Sequence, residues 1–320
     1  MSLLVGKREV RCESACSDHC KRAYAALERL GCVEDRGIAT QVVMRTISYD
    51  PTFYLGSAAH YLRGRPPYSR ELLSVLTREL DLDGSGELLD VGCGPGVLAV
   101  ELASAFDTVV GLDPDEAMLE HARLYAAQRE VTNARWINAR AEDIASLGLT
   151  PMRAVSFGQS FHWTDRDAVA DVVYDLLEPG GAIVLVAPDI DVGTAPPNPD
   201  DPPIPDNEVQ AIIHRYLGPK RRAGRGHREP NADRYEDALA RTRFGRPRVV
   251  HAAGRPDITR DVDGVISGYL SMSYAAPHLF GDRLDSFVAE LRDLLERTTD
   301  TGRFSDWPGD TALLIAQKPA

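Results

Sequence analysis

The stretch that most constrains this chain runs from Glu87 to Gly96 and reads Glu-Leu-Leu-Asp-Val-Gly-Cys-Gly-Pro-Gly. Its leucines and valine predict a short buried strand, and its three glycines at alternate positions predict a tight turn. The apolar pattern that begins at Val97 predicts an amphipathic helix. A strand, a glycine turn and a helix form a ligand site at the carboxyl edge of an α/β sheet, because glycine lets a bound molecule approach the backbone.

Two carboxylates indicate which ligand this site takes. A dinucleotide fingerprint, G-x-G-x-x-G, requires glycine where this chain has Val97. Asp90 places a negative charge just before the turn, which disfavours a pyrophosphate and favours a ligand with a cationic amino-acid end. Asp113 ends the β-rich run 108–112, where a carboxylate can accept hydrogen bonds from two ribose hydroxyls.

The pattern D-x-G-x-G-x-G followed by a ribose acid resembles the class I S-adenosylmethionine (SAM)-dependent methyltransferases. The resemblance implies that Asp90 and the turn of Gly92, Cys93, Gly94 and Gly96 hold the methionine end of SAM. Asp113 is then the residue that holds the ribose. Without the resemblance, Asp90 would cap a turn at the sheet edge and Asp113 would cap a helix.

Four further cofactor residues follow from the same resemblance. Ala141 and Glu142, which come after the third predicted strand, border the adenine. Met118 packs either on the adenine edge or in the core. Gln159, after the fourth strand, borders the sulfonium or the methyl acceptor. The cofactor prediction is therefore SAM, and no metal site is predicted.

The run from Ala59 to Tyr68, Ala-His-Tyr-Leu-Arg-Gly-Arg-Pro-Pro-Tyr, resembles small-molecule methyltransferases related to trans-aconitate methyltransferase. In that group the segment lies over the cofactor and closes the site. The alternative is a loop that its tyrosines dock onto the helix layer. The predicted substrate contacts in and beside this segment are Tyr54, Tyr61, Arg65 and Tyr68.

The tripeptide Phe161-His162-Trp163 resembles the same group. His162 is the predicted catalytic residue, since its ordinary pKa near 6.5 suits a side chain that accepts a proton from a hydroxyl acceptor. The alternative is a histidine that is hydrogen-bonded between aromatic rings and shapes its loop.

Strands and helices alternate from 87 to 188, which predicts a doubly wound, mostly parallel α/β sheet. Strands are predicted at 87–91, 108–112, 134–139, 153–158 and 182–187, with helices at 97–106, 115–129 and 165–177. Two later strands, 247–252 and 311–316, complete a seven-stranded Rossmann-like methyltransferase sheet whose last strand is antiparallel.

The predicted domains are an N-terminal extension, 1–45, and a methyltransferase domain, 46–320. Within the domain, 84–188 is the core, 189–230 is a Pro/Asp-rich and basic insertion, and 245–318 completes the sheet. In the extension, Cys12, Cys16 and Cys20 have four-residue spacing. They are read as reduced thiols on a helix, with a metal site as the alternative that no nearby C-x-x-C supports.

The chain carries 36 basic and 48 acidic side chains, a net charge of -12. This balance disfavours nucleic acid or an anionic membrane as the main partner and favours a small-molecule substrate. Residues 182–187 form an apolar run too short for a bilayer, and no secretory signal is evident. A cytoplasmic location is therefore expected, while the oligomeric state is left open.

The resulting hypothesis is SAM-dependent methyl transfer to a small molecule. O-methylation of a hydroxyl or a carboxylate is the preferred form of this reaction. The sulfonium donor is already activated, so positioning can supply about 7–11 kcal/mol of the barrier. Two alternatives stay open at this stage. They are an NAD(P)-dependent oxidoreductase on a similar sheet and a protein that binds SAM without turnover.

Overall fold

The computed structural model describes residues 50–188, 201–224, 226–227 and 233–320, and the backbone of 2–5 and 8–11. The chain divides into two compact units, 1–45 and 46–320. In the first, strands β1 (Ser2–Val5) and β2 (Arg8–Arg11) pair antiparallel. The cysteines at 12, 16 and 20 and the Pro/Asp-rich stretch 189–200 lie outside the described residues.

The second unit is built on a seven-stranded sheet. Five of its strands are β3 (Glu87–Val91), β4 (Thr108–Asp113), β5 (Ala134–Asn138), β6 (Met152–Gly158) and β7 (Leu177–Pro188). The others are β10 (Arg248–Ala252) and β13 (Thr311–Gln317), and the order is β10-β13-β7-β6-β3-β4-β5. Only β13 runs antiparallel to its neighbours in this sheet, so the predicted fold class is confirmed.

Strand β7 differs most from its prediction. A helix was predicted at 165–177 and a strand at 182–187. Instead the strand begins at Leu177 and includes Glu178-Pro179-Gly180-Gly181, with a register shift against β6 between Met152 and Ala154. The shift accommodates proline, which cannot donate a ladder hydrogen bond.

Helices cover both faces of the sheet. They are α1 (Ala58–Gly64), α2 (Leu72–Leu80), α3 (Val97–Leu102), α4 (Glu116–Gln128), α5 (Arg166–Leu176), α6 (Asp206–Leu217), α7 (Tyr235–Ala240), α8 (Val262–Leu270) and α9 (Leu284–Thr298). One face packs on α2 and α3, and the other on α5 and α7, so each face buries its own core. None of these helices is both long and apolar enough to cross a membrane, within the ranges the structure describes.

A third hydrophobic core lies away from the sheet. It joins α6, α8 and α9 through residues such as Val209, Val265, Phe287 and Leu291. Phe304 adds to it from β12 (Arg303–Ser305), which pairs antiparallel with β11 (Thr259–Asp261). We refer to α6, α8, α9, β11 and β12 as the helical cap. The basic part of the insertion forms the short hairpin β8 (Arg222–Ala223) and β9 (Gly226–His227).

Helix α1, from the segment expected to close the site, is fastened to the helical cap. The buried Ser57 hydroxyl donates to the Leu270 carbonyl at 2.9 Å, and Arg260 Nη1 donates to the Gly64 carbonyl. A Cβ built on Gly64 would overlap the backbone of Ser267 and Gly268 on α8. Glycine is needed here because the two helices cross in near backbone contact.

Adding a methyl group at Gly64 therefore tests the crossing of α1 and α8. We expect Gly64→Ala to lower the free energy of unfolding by about 1–3 kcal/mol, because the overlapped atoms are backbone and cannot rotate away. Ala59→Ser, on the exposed side of the same helix, should change it by less than about 0.5 kcal/mol. Equal urea denaturation curves for the two variants would contradict the close crossing.

Candidate active site

The glycine turn joins β3 to α3 and is fastened to the neighbouring strand. The backbone N–H groups of Gly92 and Cys93 both donate to the Leu112 carbonyl, at 2.7 and 3.0 Å. Gly92 has a φ of 64°, and a Cβ there would overlap the Ser160 side chain. Gly94 has a φ of 53°, and a Cβ there would meet no atom within 4 Å. The turn therefore leaves open space beside Gly94 for a ligand.

Asp90, next to this turn, is a buried carboxylate that the described residues satisfy on one side only. Its Oδ1 accepts a hydrogen bond from the Ser156 hydroxyl at 2.8 Å. Its Oδ2 is buried and has no hydrogen-bond partner among the described residues. Burial raises the pKa of Asp90 to about 7, against the lowering effects of the Ser156 hydroxyl and the Ala99 backbone N–H. Such a group is costly unless a hydrogen-bond donor or a cation reaches it.

Asp113, at the end of β4, holds the other side of the turn. Its Oδ2 accepts from the Gly94 N–H at 2.8 Å and its Oδ1 accepts from the Asp115 N–H at 2.9 Å. Burial raises the pKa of Asp113 to about 6. Each carboxylate oxygen can accept a further hydrogen bond, so Asp113 retains capacity for ligand hydroxyls.

The space beside the turn consists of two adjoining cavities. The small cavity has a volume of about 120 Å³ and the large cavity about 850 Å³. Predicted cofactor residues lining the small cavity are Gly92, Gly94, Asp113, Met118, Ala141, Glu142 and Gln159. Asp90 and Cys93 line the large cavity. The cavities meet where both are lined by the same residues, which are Tyr61, Gly92, Gly158 and Gln159.

Comparison with known proteins assigns the core of this site to a family. Residues 88–181 match the family described as a methyltransferase domain. This part of the chain is a methyltransferase domain. The match spans β3 to the middle of β7, and so contains the glycine turn, Asp90 and Asp113.

Three curated relatives carry related names. The chain is 29% identical over 129 residues to a Saccharomyces cerevisiae protein named a probable S-adenosylmethionine-dependent methyltransferase, covering 40% of this chain and 44% of that protein. It is 28% identical over 177 residues to 2-heptyl-1-hydroxyquinolin-4(1H)-one methyltransferase of Mycobacteroides abscessus, covering 51% and 73%. It is 33% identical over 98 residues to ubiquinone biosynthesis O-methyltransferase of Acinetobacter baylyi, covering 30% and 41%.

The family match confirms the predicted methyltransferase domain over residues 88–181. The names of the relatives, one of them a probable SAM-dependent methyltransferase, agree with the predicted cofactor and enzymatic character. The matched region spans between 41% and 73% of the lengths of these three relatives. The activity of the whole chain is therefore a proposal. None of the three is named a trans-aconitate methyltransferase, and that finer resemblance stays a prediction.

Gly96 has a packing role in the methyltransferase domain and lines neither cavity. It precedes α3 with a φ of 78°, and a Cβ there would overlap the Trp136 ring and approach Ala122. Met118 fits both of its sequence interpretations, because it is buried in the core and also lines the small cavity. Arg140 also lines the small cavity. It forms an ion pair with Glu142, in which Nη2 lies 3.0 Å from Oε2.

Gln159 occupies an unusual position at the junction of the cavities. Its φ is 55°, although it is not glycine, and its N–H donates to the Val186 carbonyl at 3.0 Å. A left-handed backbone conformation costs a non-glycine residue free energy and is concentrated at functional sites. The conformation lies just after the carboxyl end of β6, where Gln159 lines both cavities.

The predicted substrate residues are brought to these cavities. Tyr54 lines the small cavity, Tyr61 lines both, and Arg65 and Tyr68 line the large one. Burial raises the pKa of Tyr54 to about 12 and that of Tyr68 well above its usual value. Both phenols are therefore protonated at neutral pH and act as hydrogen-bond donors.

His162, the predicted catalytic residue, lines neither of the two cavities that the described residues form. Its Nδ1 is 2.8 Å from the Tyr235 hydroxyl, and the two rings are almost parallel. This placement favours the loop-shaping alternative over a role as proton acceptor. Its neighbour Trp163 lines the small cavity and packs on Phe53, with ring centroids 4.8 Å apart.

Sequence reasoning did not identify two serines that shape the site. Ser156 is aligned with Asp90 in the pairing of β6 with β3, which explains its hydrogen bond to the carboxylate. Ser160 packs against Gly92 and donates to the Val91 carbonyl. One sequence signal could have identified Ser156. It is the only hydroxyl in the apolar run Ala154 to Phe157, and it lies opposite an acidic residue on the neighbouring strand.

The titration of Asp90 gives a prediction for stability without ligand. Its pKa is about 7 in the folded protein against an ordinary value of 3.8, so the folded state binds more protons between these values. The free energy of unfolding must then fall as pH rises from about 4 to 7, by up to about 4 kcal/mol. We expect Asp90→Asn to remove this contribution and to be more stable than wild type at pH 8.

Thermal and urea unfolding from pH 5 to 8 measure this difference. Asp282→Asn, which removes an exposed carboxylate, is the matched control and should follow wild type throughout. A stability difference between wild type and Asp90→Asn that does not change with pH would contradict the raised pKa.

Proposed function

We propose that this protein transfers the methyl group of SAM to a small-molecule acceptor, with oxygen as the accepting atom. The observation that carries the proposal is the unpartnered Oδ2 of the buried Asp90, one residue from a glycine turn that opens into a cleft. A ligand with a cationic amino group would offset the cost of this charge.

The residues around the two cavities fit the parts of SAM. Asp90 would hold the ammonium group of the methionine end, and Asp113 would hold the ribose hydroxyls. Ala141 and Met118 would border the adenine in the small cavity. The ligand would then extend across Gly92, which lines both cavities, so that its methionine end reaches the large one.

When bound, SAM supplies an electrophilic methyl group on a sulfonium. The acceptor oxygen forms a bond to the methyl carbon as the carbon–sulfur bond breaks, and that electron pair stays on sulfur. The proton of a hydroxyl acceptor passes to solvent or a base, whereas a carboxylate acceptor has none to lose. The chain's own contribution is to align the acceptor and to exclude water at the junction formed by Tyr61 and Gln159.

Oxygen is proposed as the acceptor for two reasons. One relative is named an O-methyltransferase, and another is named for a hydroxyquinolinone. The protonated phenols of Tyr54 and Tyr68 can donate hydrogen bonds that orient an oxygen-bearing substrate. Since His162 lies outside both cavities, the proposal assigns it no proton transfer.

The large cavity favours turnover on a small molecule. A protein that only binds SAM has no need of a second cavity of about 850 Å³ beside the first. The net charge of -12 disfavours RNA as the substrate. An NAD(P)-dependent oxidoreductase is disfavoured by Val97 and by the carboxylate of Asp90 at the turn. A cytoplasmic location and the division into an extension and one methyltransferase domain remain part of this proposal.

Replacement of Asp113 tests the cofactor site. We expect Asp113→Asn to weaken SAM binding by about 1.5–3 kcal/mol, because the variant loses the charge that strengthens hydrogen bonds to the ribose. Asp261→Asn is the control, because Asp261 also accepts from a backbone N–H, that of Gly264 at 2.7 Å, but lines neither cavity. Titration calorimetry with SAM, S-adenosylhomocysteine and NAD measures the affinities.

Three outcomes would contradict the proposal. Binding of NAD without SAM would favour the oxidoreductase. SAM binding without transfer of tritiated methyl to any metabolite fraction would favour a binding protein, and transfer to RNA instead would exclude a small-molecule acceptor.

A further inference from the structure

We propose that Arg65 is the residue that recognises the acceptor, and that the acceptor carries a carboxylate. The inference rests on the proposed function, because it names the substrate class of the same site. It follows from a difference between Arg65 and the other arginines that line the large cavity.

Three of those arginines are neutralised by carboxylates. Arg63 lies 3.1 and 3.2 Å from Asp261 and Asp263, both at the surface. Arg255 lies 3.3 Å from Asp257, and Arg260 forms a largely buried pair with Asp306 at 2.7 Å. A fourth, Arg303, is exposed and donates to the Thr259 hydroxyl.

Arg65 is half-buried and has no ion pair with any described residue. Its Nη2 donates to the Ser271 carbonyl at 3.0 Å, which leaves its positive charge uncompensated. Its Nε is buried without a hydrogen-bond partner, and its Nη1 makes no hydrogen bond with the described residues. Unpaired donors on a partly buried cation are costly, and a carboxylate is the group whose geometry matches a guanidinium.

The position of Arg65 relates this charge to the reaction. Its guanidinium carbon lies 5.1 Å from the ring centroid of Tyr61, which lines both cavities. Arg65 is therefore one aromatic ring away from the junction where methyl transfer is proposed. An acceptor that spans this distance can place its carboxylate on Arg65 and a second oxygen at the junction.

Five acidic residues line the large cavity, and none of them forms an ion pair with Arg65 among the described residues. Asp90 is the one assigned above to the ammonium group of the cofactor. Asp257 and Asp306 are paired with Arg255 and Arg260, and Asp206 accepts a hydrogen bond from the Tyr269 hydroxyl. Asp310 accepts from the Gly254 N–H at 2.7 Å. Asp206 and Asp310 have no cationic partner among the described residues, so their charges would repel a second anionic group beside them. One carboxylate near Arg65 is therefore the arrangement that the charges favour.

The experiment measures binding of matched probes to the full chain saturated with S-adenosylhomocysteine. The probes are 4-hydroxybenzoate, 4-hydroxyphenylacetate and glutarate, each compared with its amide, and inorganic phosphate. We expect at least one carboxylate to bind about 10- to 150-fold more tightly than its amide, the scale of hydrogen bonds to a charged group. Arg65→Gln should abolish this ratio without changing the affinity for S-adenosylhomocysteine.

Arg63→Gln is the matched control, because it removes an ion-paired arginine two positions away and should keep the ratio. The inference is overturned if no carboxylate binds, if amides bind equally well, if phosphate binds more tightly than every carboxylate, or if both variants lose the ratio equally. It is also overturned if Arg65→Gln weakens binding of S-adenosylhomocysteine, because Arg65 would then hold the carboxylate of the cofactor's methionine end, which is placed in the same cavity. If the wild-type protein does not bind S-adenosylhomocysteine, the proposed function itself is refuted. The failure of the inference and the failure of the proposed function are therefore distinguishable.

Discussion

The arrangement of this site depends on one buried charge, the carboxylate of Asp90 near the carboxyl end of the interior strand β3. Ser156 on the neighbouring strand satisfies one oxygen, and nothing described satisfies the other. Burial raises the pKa of Asp90 to about 7, so near neutral pH the site is poised between a neutral acid and an unpaired anion. A methyltransferase domain can tolerate this cost, because a cationic ligand compensates it on binding.

The second constraint is that two separate parts of the fold, the sheet and the helical cap, each position some of the residues that line the site. The glycine turn and Asp113 belong to the sheet, whereas Tyr61 and Arg65 come from α1 and the residue just after it. Helix α1 is fastened to the helical cap by contacts that leave no room for a side chain at Gly64. The junction between the cavities is therefore formed by groups that the sheet and the cap position separately, and any closure over the ligand has to move α1 together with α8.

Local sequence predicted the sheet and the turn, because alternation of strand and helix and the run from Asp90 to Gly96 are short-range patterns. It also identified Asp113, whose place at a strand end follows from the same alternation. It could not predict the packing of Gly96 on Trp136 or the contact of His162 with Tyr235, which join residues distant in the chain. The three helices of the cap have apolar patterns of their own, but their packing into one core was missed for the same reason, since that core exists only after α6, α8 and α9 have come together.

The central claim is that SAM binding replaces a proton on Asp90 with the cationic end of the ligand. Calorimetric titration of SAM at pH 6, repeated in buffers of different ionisation enthalpy, measures the protons released on binding. With a pKa of about 7, Asp90 is mostly protonated at this pH, so wild type should release on the order of one proton more per SAM than Asp90→Asn. Equal proton release by wild type and Asp90→Asn would contradict the account.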